Sequence, residues 1–133
     1  MAERVYCLYR GKDQESILMQ KNACHDFTEK IGWNIVGEEQ EIDVSGYKVS
    51  ADTCDKLQRI REAAERGEFD IFLVFMYDRL GRNLNETPFI AKWFTKKGIH
   101  VWSVYEGEII DGVDAERMLD YIRFWQTDEA QKL

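Results

Sequence analysis

Short apolar runs alternate with longer amphipathic stretches along the chain. Four apolar runs, at residues 5–9, 33–38, 71–76 and 99–105, predict β-strands. The first run is continuously apolar, which is typical of a strand that is covered on both faces of a sheet. The run at residues 71–76 is the strongest of the four, and we expect it at the centre of the sheet.

Two helices are predicted in the first half of the chain. One follows the first strand and ends at Gly32, since glycine is the usual residue after a helix. The other follows a polar loop, is capped by Asp52 or Thr53 and closes at Gly67. The apolar positions that carry these predictions are Met19, Ala23, Phe27 and Ile31 in the first helix and Leu57, Ile60 and Ala64 in the second.

Two further helices are predicted in the second half. Thr87 and Pro88 supply a capping hydroxyl and a proline at the first helical position, and Gly98 ends this helix. The last helix is predicted from about Asp114. The apolar positions are Phe89, Ile90, Trp93 and Phe94 in the third helix and Met118, Leu119, Ile122 and Trp125 in the fourth.

This alternation predicts an α/β fold, a single domain with a largely parallel central β-sheet flanked by helices. The 133 residues suit one domain, which we place at 1–126, with 127–133 as the start of, or lead-in to, a further C-terminal helix. In such sheets functional residues gather beyond the carboxyl ends of the strands. Two places therefore draw attention, residues 9–10 after the first strand and residues 77–83 after the third.

Composition and charge narrow the classes of function. The net charge of −7 weighs against nonspecific binding to a polyanion, although the stretch 79–97 carries five basic residues and one acidic residue. No apolar run approaches the roughly 18 residues of a membrane span, and the N-terminus lacks a signal-peptide core, so we expect a cytoplasmic protein with no membrane partner.

The cysteines and histidines predict no metal site. Cys7, Cys24 and Cys54 form no C-x-x-C pair, and we expect reduced thiols, with Cys7 and Cys24 serving as packing residues. His25 and His100 lack the spacing of metal ligands to any cysteine or carboxylate cluster.

Four charged residues are candidates for phosphate chemistry. Asp78, Arg79 and Arg82 follow the most apolar strand, and Arg10 ends the first strand, so all four are expected at one end of the sheet. Guanidinium groups bind phosphate through paired hydrogen bonds and keep their charge, while a carboxylate can orient them or transfer a proton. A surface ion pair that caps a helix remains the alternative. The phosphate-loop, dinucleotide-binding and nucleophile-elbow motifs are all lacking.

The sequence resembles the serine recombinases over nearly its whole length. Asp-Arg-Leu-Gly-Arg-Asn after an apolar strand is fairly specific, and together with Tyr-Arg at the end of the first strand it is strong. Two further segments, at 87–89 and 121–125, are similar to the large serine recombinases of bacterial mobile elements such as conjugative transposons. The positions that carry the resemblance are residues 5–10, Gln20, residues 32–33, Ser45 and Gly46, Asp70 and residues 78–83.

The resemblance implies site-specific DNA recombination by a metal-free transesterification. A serine hydroxyl attacks the phosphodiester and gives a 5′-phosphoseryl intermediate, after which strands are exchanged and rejoined without ATP or any cofactor. The implied partner is double-stranded DNA, bound by a homodimer at each site and by a tetramer at synapsis. By matching motif positions, Arg10, Arg79 and Arg82 would activate the scissile phosphate and Asp78 would organise them; the supporting residues would be Gln20, Tyr9, Ser45 and Asn83.

Two departures from the family pattern concern the chemistry. The family reads Val-Ser-Thr after the first arginine, whereas here Gly11 follows Arg10, and the register to Gln20 is about five residues short. Cys54 stands where the family usually has an arginine. Either the serine segment is deleted, which makes a catalytically silent relative that binds DNA or a partner, or residues exist between Arg10 and Gly11 that the sequence does not show. We favour the second interpretation, because an arginine set retained beside an excised nucleophile would be unusual. A separate DNA-binding region is not contained in these residues.

Overall fold

The computed structural model describes residues 3–42, 55–80 and 87–109, in which strands and helices alternate. The strands are β1 (Arg4–Gly11), β2 (Asn34–Ile42), β3 (Ile71–Val74), β4 (His100–Ser103) and β5 (Gly107–Ile109). The helices are α1 (Gln14–Ile31), α2 (Asp55–Glu65), α3 (Thr87–Lys96) and a short 3-10 helix (Tyr77–Arg79). The predicted fourth helix and the 127–133 segment lie outside the described residues.

The described strands form one sheet in the order β2-β1-β3-β4-β5. The pairs β1–β2, β1–β3 and β3–β4 are parallel, which confirms the predicted largely parallel α/β domain and places β3 at its centre. The antiparallel β4–β5 hairpin was not predicted. We expected one strand over 99–105, but β4 ends at Ser103 and Gly107, with φ of 95°, begins the short return strand.

Alternate residues of β1 enter two cores on opposite faces of the sheet. Leu8 packs with residues of α2 and α3, including Leu57 and Phe94. Cys7 packs on the other face with Cys24 of α1. This period of two follows from the pleat, because successive side chains of a strand point to opposite faces. The functional consequence is that neighbouring residues at the end of β1 face different surroundings.

Two predicted apolar faces differ from the observed ones. In α1 the buried residues are Ile17, Gln20, Cys24 and Thr28, while Met19 and Ile31 are about half exposed. The difference arises because the buried face includes polar side chains whose hydrogen bonds are satisfied locally, which hydrophobicity alone does not reveal. In α3 Phe89 is 74% exposed, and Ile90 and Phe94 fill the core instead.

The connection from β1 to α1 is continuous and consists of Lys12 and Asp13. Arg10 and Gly11 are consecutive residues of β1 and pair with Glu41 and Ile42 of β2. The carboxylate of Asp13 then accepts a hydrogen bond of 2.8 Å from the backbone N–H of Ser16 and caps α1. No serine lies between Arg10 and the helix cap Asp13, and the interpretation that further residues lie between Arg10 and Gly11 stays a prediction.

The helices seen in residues 3–42, 55–80 and 87–109 include none with the length and apolar character that a membrane span requires.

Candidate functional site at the carboxyl end of the sheet

Arg10 lies at the carboxyl end of β1 and is only 5% exposed. Its Nη2 lies 3.3 Å from Oε2 of Glu41, which comes from the neighbouring strand β2. Its Nη1 donates a hydrogen bond of 3.3 Å to the backbone carbonyl of Arg79 in the 3-10 helix. A charged group is seldom buried in this way unless it is paired and hydrogen-bonded. Arg10 therefore joins β2 to the segment that follows β3.

Gln20 fixes the backbone of Arg10 from the side of α1. Its Oε1 accepts a hydrogen bond of 3.1 Å from the Arg10 N–H, and its Nε2 donates one of 2.8 Å to the Arg10 carbonyl. The same Nε2 lies 3.3 Å from Oγ of Ser16. The side chain of Gln20 is fully buried, so these contacts satisfy backbone groups that water does not reach.

The structure brings Arg10 together with the segment that contains Asp78 and Arg79. Both residues belong to the 3-10 helix, which begins three positions after β3 ends, and the carbonyl of Arg79 receives the Arg10 guanidinium. The candidate site residues Arg82, Asn83 and Ser45 lie outside the described ranges, as do Cys54 and the predicted helix caps Asp52 and Thr53.

Tyr9, the neighbour of Arg10, is directed to the opposite face. Its hydroxyl donates a hydrogen bond of 2.6 Å to Oε2 of Glu38, and the same carboxylate oxygen lies 2.6 Å from Nε2 of His25. Burial raises the pKa of Glu38, but the hydrogen bonds from Tyr9 and His25 outweigh it and hold that pKa below its usual value. Tyr9 thus forms a hydrogen-bonded cluster with Glu38 and His25 that links β1, β2 and α1, and its side chain does not surround that of Arg10.

Both described cysteines are free and buried, as expected for packing residues. The hydrogen bond with Cys7, together with burial, raises the pKa of the Cys24 thiol. The two histidines each contact one glutamate, His25 with Glu38 and His100 with Glu108. Among the residues that the structure describes, no group of three or more histidine, cysteine or acidic side chains could hold a metal ion.

Glu41 was not among the predicted site residues. We predicted that the second strand ends at residue 38, whereas β2 continues to Ile42 and pairs Glu41 with Arg10 in register. A usable signal was present, since an acidic residue at the end of a strand parallel to the Arg10 strand is placed at the same edge. The polar alternation of β2 made this end resemble a loop.

The chain matches the family described as "Resolvase, N terminal domain" over residues 10–129. Among solved structures, the N-terminal catalytic domain of TP901-1 integrase is similar with a TM-score of 0.72 and 25% identity, covering 93% of this chain and 96% of that one.

Two other solved structures share the fold. A resolvase family site-specific recombinase from Streptococcus pneumoniae has a TM-score of 0.69 and 20% identity, over 98% of this chain and 92% of that one. The C-terminal catalytic domain of ISC1926 TnpA, an IS607-like serine recombinase, has a TM-score of 0.65 and 20% identity, over 91% and 79%. No curated protein sequence matches this chain significantly.

Proposed function

Because the chain belongs to the family of resolvase N-terminal domains, we propose that it acts in site-specific DNA recombination without cutting a strand itself. In this proposal the domain contacts the DNA backbone at the carboxyl end of the sheet. Its partners are duplex DNA and other recombinase subunits, in the dimer and tetramer that the family resemblance implies.

The observation that carries this proposal is that the sequence has no serine between the end of β1 and the start of α1. Arg10 is followed by Gly11, Lys12 and Asp13, none of which has a hydroxyl group, and Asp13 is engaged as the cap of α1. The family's nucleophile is expected two residues after the arginine, where this chain has Lys12. An amine at this place cannot form the phosphoserine linkage in which the family's reaction stores the energy of the broken bond.

The surroundings of Arg10 support a scaffolding task for this residue. Its guanidinium is almost fully buried and already contacts Glu41 and the carbonyl of Arg79. Arg79 is only half-buried, and its position in the Asp-Arg-Leu-Gly-Arg-Asn motif makes it the better candidate for a phosphate contact. Arg82 of the same motif is proposed as a second phosphate contact. Because the chain carries a net charge of −7, another segment or subunit must supply most of the DNA affinity.

A second candidate function keeps the chemistry of the family and uses Ser16 as the nucleophile. The observation that favours it is that Gln20 Nε2 reaches both Ser16 Oγ and the carbonyl of Arg10, so the hydroxyl lies near the backbone of Arg10. In that reaction the Ser16 oxygen would bond to phosphorus, the bond from phosphorus to the 3′ oxygen would break, and the serine proton would pass to the leaving oxygen. Ser16 is half-buried in the first turn of α1 and close to Gly11, which leaves little room for a phosphodiester.

Titration of duplex DNA over a range of salt concentrations tests the proposed contact. We expect Arg79→Ala to weaken binding and to reduce the salt slope by about one, the effect of losing one phosphate contact. The matched control is Arg66→Ala, which removes the same charge just before β3, at the opposite end of the sheet. Equal losses of affinity in the two variants, or the absence of any duplex binding by the wild type even at low salt and high protein concentration, would contradict the proposal.

A further inference from the structure

We infer that Glu106 is the positioning residue that holds the 3-10 helix, and with it Asp78 and Arg79, at the carboxyl end of β3. This inference deepens the proposed function and rests on it for its meaning. Glu106 lies in the turn between β4 and β5, and it is far in sequence from the motif that contains Asp78 and Arg79.

The carboxylate of Glu106 receives the first N–H of the 3-10 helix. The backbone N–H of Tyr77 lies 3.3 Å from Oε1 and 3.4 Å from Oε2. Ser103 orients this carboxylate, since its Oγ donates a hydrogen bond of 2.7 Å to Oε1 and accepts one of 2.7 Å from the Glu106 N–H. Ser103 is fully buried, so its side chain has little freedom to move away.

Other contacts hold the same turn against the exit from β3. The N–H of Val104 donates to the carbonyl of Val74 at 3.0 Å, and the N–H of Tyr105 donates to that of Phe75 at 3.2 Å. The hydroxyl of Tyr77 donates to the carbonyl of Gly107. The β4–β5 turn is thus hydrogen-bonded to the residues that end β3 and to both the backbone and the side chain of Tyr77.

The consequence for the site runs through Arg79. Its carbonyl can accept the Arg10 guanidinium only if the 3-10 helix stays in place, and Glu106 contacts the residue two positions earlier. A carboxylate suits this task because its two oxygens serve Tyr77 and Ser103 together, whereas a glutamine amide offers only one acceptor oxygen. The β4–β5 hairpin, whose second strand has only three residues, thereby helps to position the site.

Residue-resolved amide hydrogen exchange tests the inference in the absence of DNA. In Glu106→Ala we expect exchange of the Tyr77 and Leu80 amides to quicken about fivefold to tenfold, while that of Leu73 in the core of β3 stays unchanged. Glu106→Gln should show a smaller change at the same amides. The matched control is Glu108→Ala, which removes a carboxylate two residues away that contacts His100, and it should leave Tyr77 unaffected.

Unchanged exchange at Tyr77, or an equal acceleration at Leu73, would overturn the inference, since the first denies the contact and the second shows a general loss of stability. If Glu106→Ala does not fold, Glu106→Gln decides by the same comparison. A second readout is DNA binding: the effect of Arg79→Ala should shrink when Glu106 is already alanine, and full additivity would count against the inference. Failure of the wild type to bind DNA would refute the proposed function, whereas the exchange experiment judges Glu106 separately.

Discussion

Strand β1 carries an arginine near each end, and the two arginines differ in their exposure to water. Arg4 contacts Asp70 at 3.0 Å, and these side chains are 46% and 37% exposed. Arg10 contacts Glu41 at 3.3 Å, and these side chains are 6% and 12% exposed. The residue types and distances are nearly the same, so the difference lies in access to water.

The Arg4–Asp70 pair is thus a surface ion pair, whereas the Arg10–Glu41 pair is shielded from water. An exposed pair contributes about 0–1 kcal/mol, because water solvates both charges when they are apart. A buried pair has lost that alternative, so removal of one partner leaves a charge without compensation. A buried arginine at the carboxyl end of parallel strands, held by Glu41, Gln20 and the carbonyl of Arg79, supports the proposal that this end of the sheet is the functional one.

The largest effect is expected from Glu41→Gln. The substitution keeps the shape of the side chain but leaves the Arg10 charge buried without its carboxylate, which should lower the free energy of unfolding by about 3–5 kcal/mol. Urea denaturation measures it. The control is the double variant Arg10→Met with Glu41→Leu, which removes both charges and should recover most of the loss. A loss below about 1 kcal/mol in Glu41→Gln would place Arg10 in the same class as Arg4.

A smaller loss is expected from Gln20→Leu. Leucine fills the space but leaves the N–H and the carbonyl of Arg10 without the partners that Gln20 supplies, which should cost about 2–3 kcal/mol. Denaturation beside Gln14→Leu, an exposed position of the same helix, provides the comparison. The control should change stability by no more than about 0.5 kcal/mol, and a similar effect of both substitutions would contradict the account.

The hydrogen bonds of Glu38 with Tyr9 and His25 predict that the free energy of unfolding depends on pH. The pKa of Glu38 is lowered in the folded state, so its contribution is present above the unfolded pKa and is lost as the pH falls through the folded pKa. Glu38→Gln should therefore cost about 1 kcal/mol at neutral pH and little at pH 3, with a flatter acid limb of the stability curve. Identical pH profiles for the variant and the wild type would show that the Tyr9 and His25 contacts contribute nothing.

The smallest effect is expected at the amino end of the sheet. Arg4→Met should lower the free energy of unfolding by no more than about 1 kcal/mol, and the loss should shrink at high salt, which screens an exposed pair. Denaturation at low and high salt checks this. A salt-independent loss above about 2 kcal/mol would remove the contrast between the two ends.

The parts that could be predicted from the sequence are those with a strong periodic signal. The buried strand β3, the start of α3 at Thr87 and the glycine end of α1 follow from local rules, and all are found. Tertiary contacts decided the rest. Glu41 lay beyond the predicted end of β2. Ser103 orients Glu106 in the β4–β5 turn, and Glu106 contacts Tyr77, which lies 29 positions away in the sequence.

In the candidate site, too, some features follow from the sequence pattern and others depend on tertiary contacts. Arg10 and the Asp78–Arg79 segment were expected to meet because each follows a parallel strand, and the described part of the chain brings them into contact. The burial of Arg10 could not be foreseen, since it depends on Glu41 and Gln20 approaching from two other elements.

The most direct test of the central claim is the mass of the protein after incubation with genomic DNA fragments from its source and digestion with nuclease. We predict an unmodified mass, because the chain lacks the hydroxyl group that would attack phosphorus after Arg10. A variant with Val-Ser-Thr inserted after Arg10 and C54R added reports whether the fragments contain a usable site. A nucleotide covalently attached to the wild-type peptide that contains Ser16, and lost in Ser16→Ala, would contradict the account.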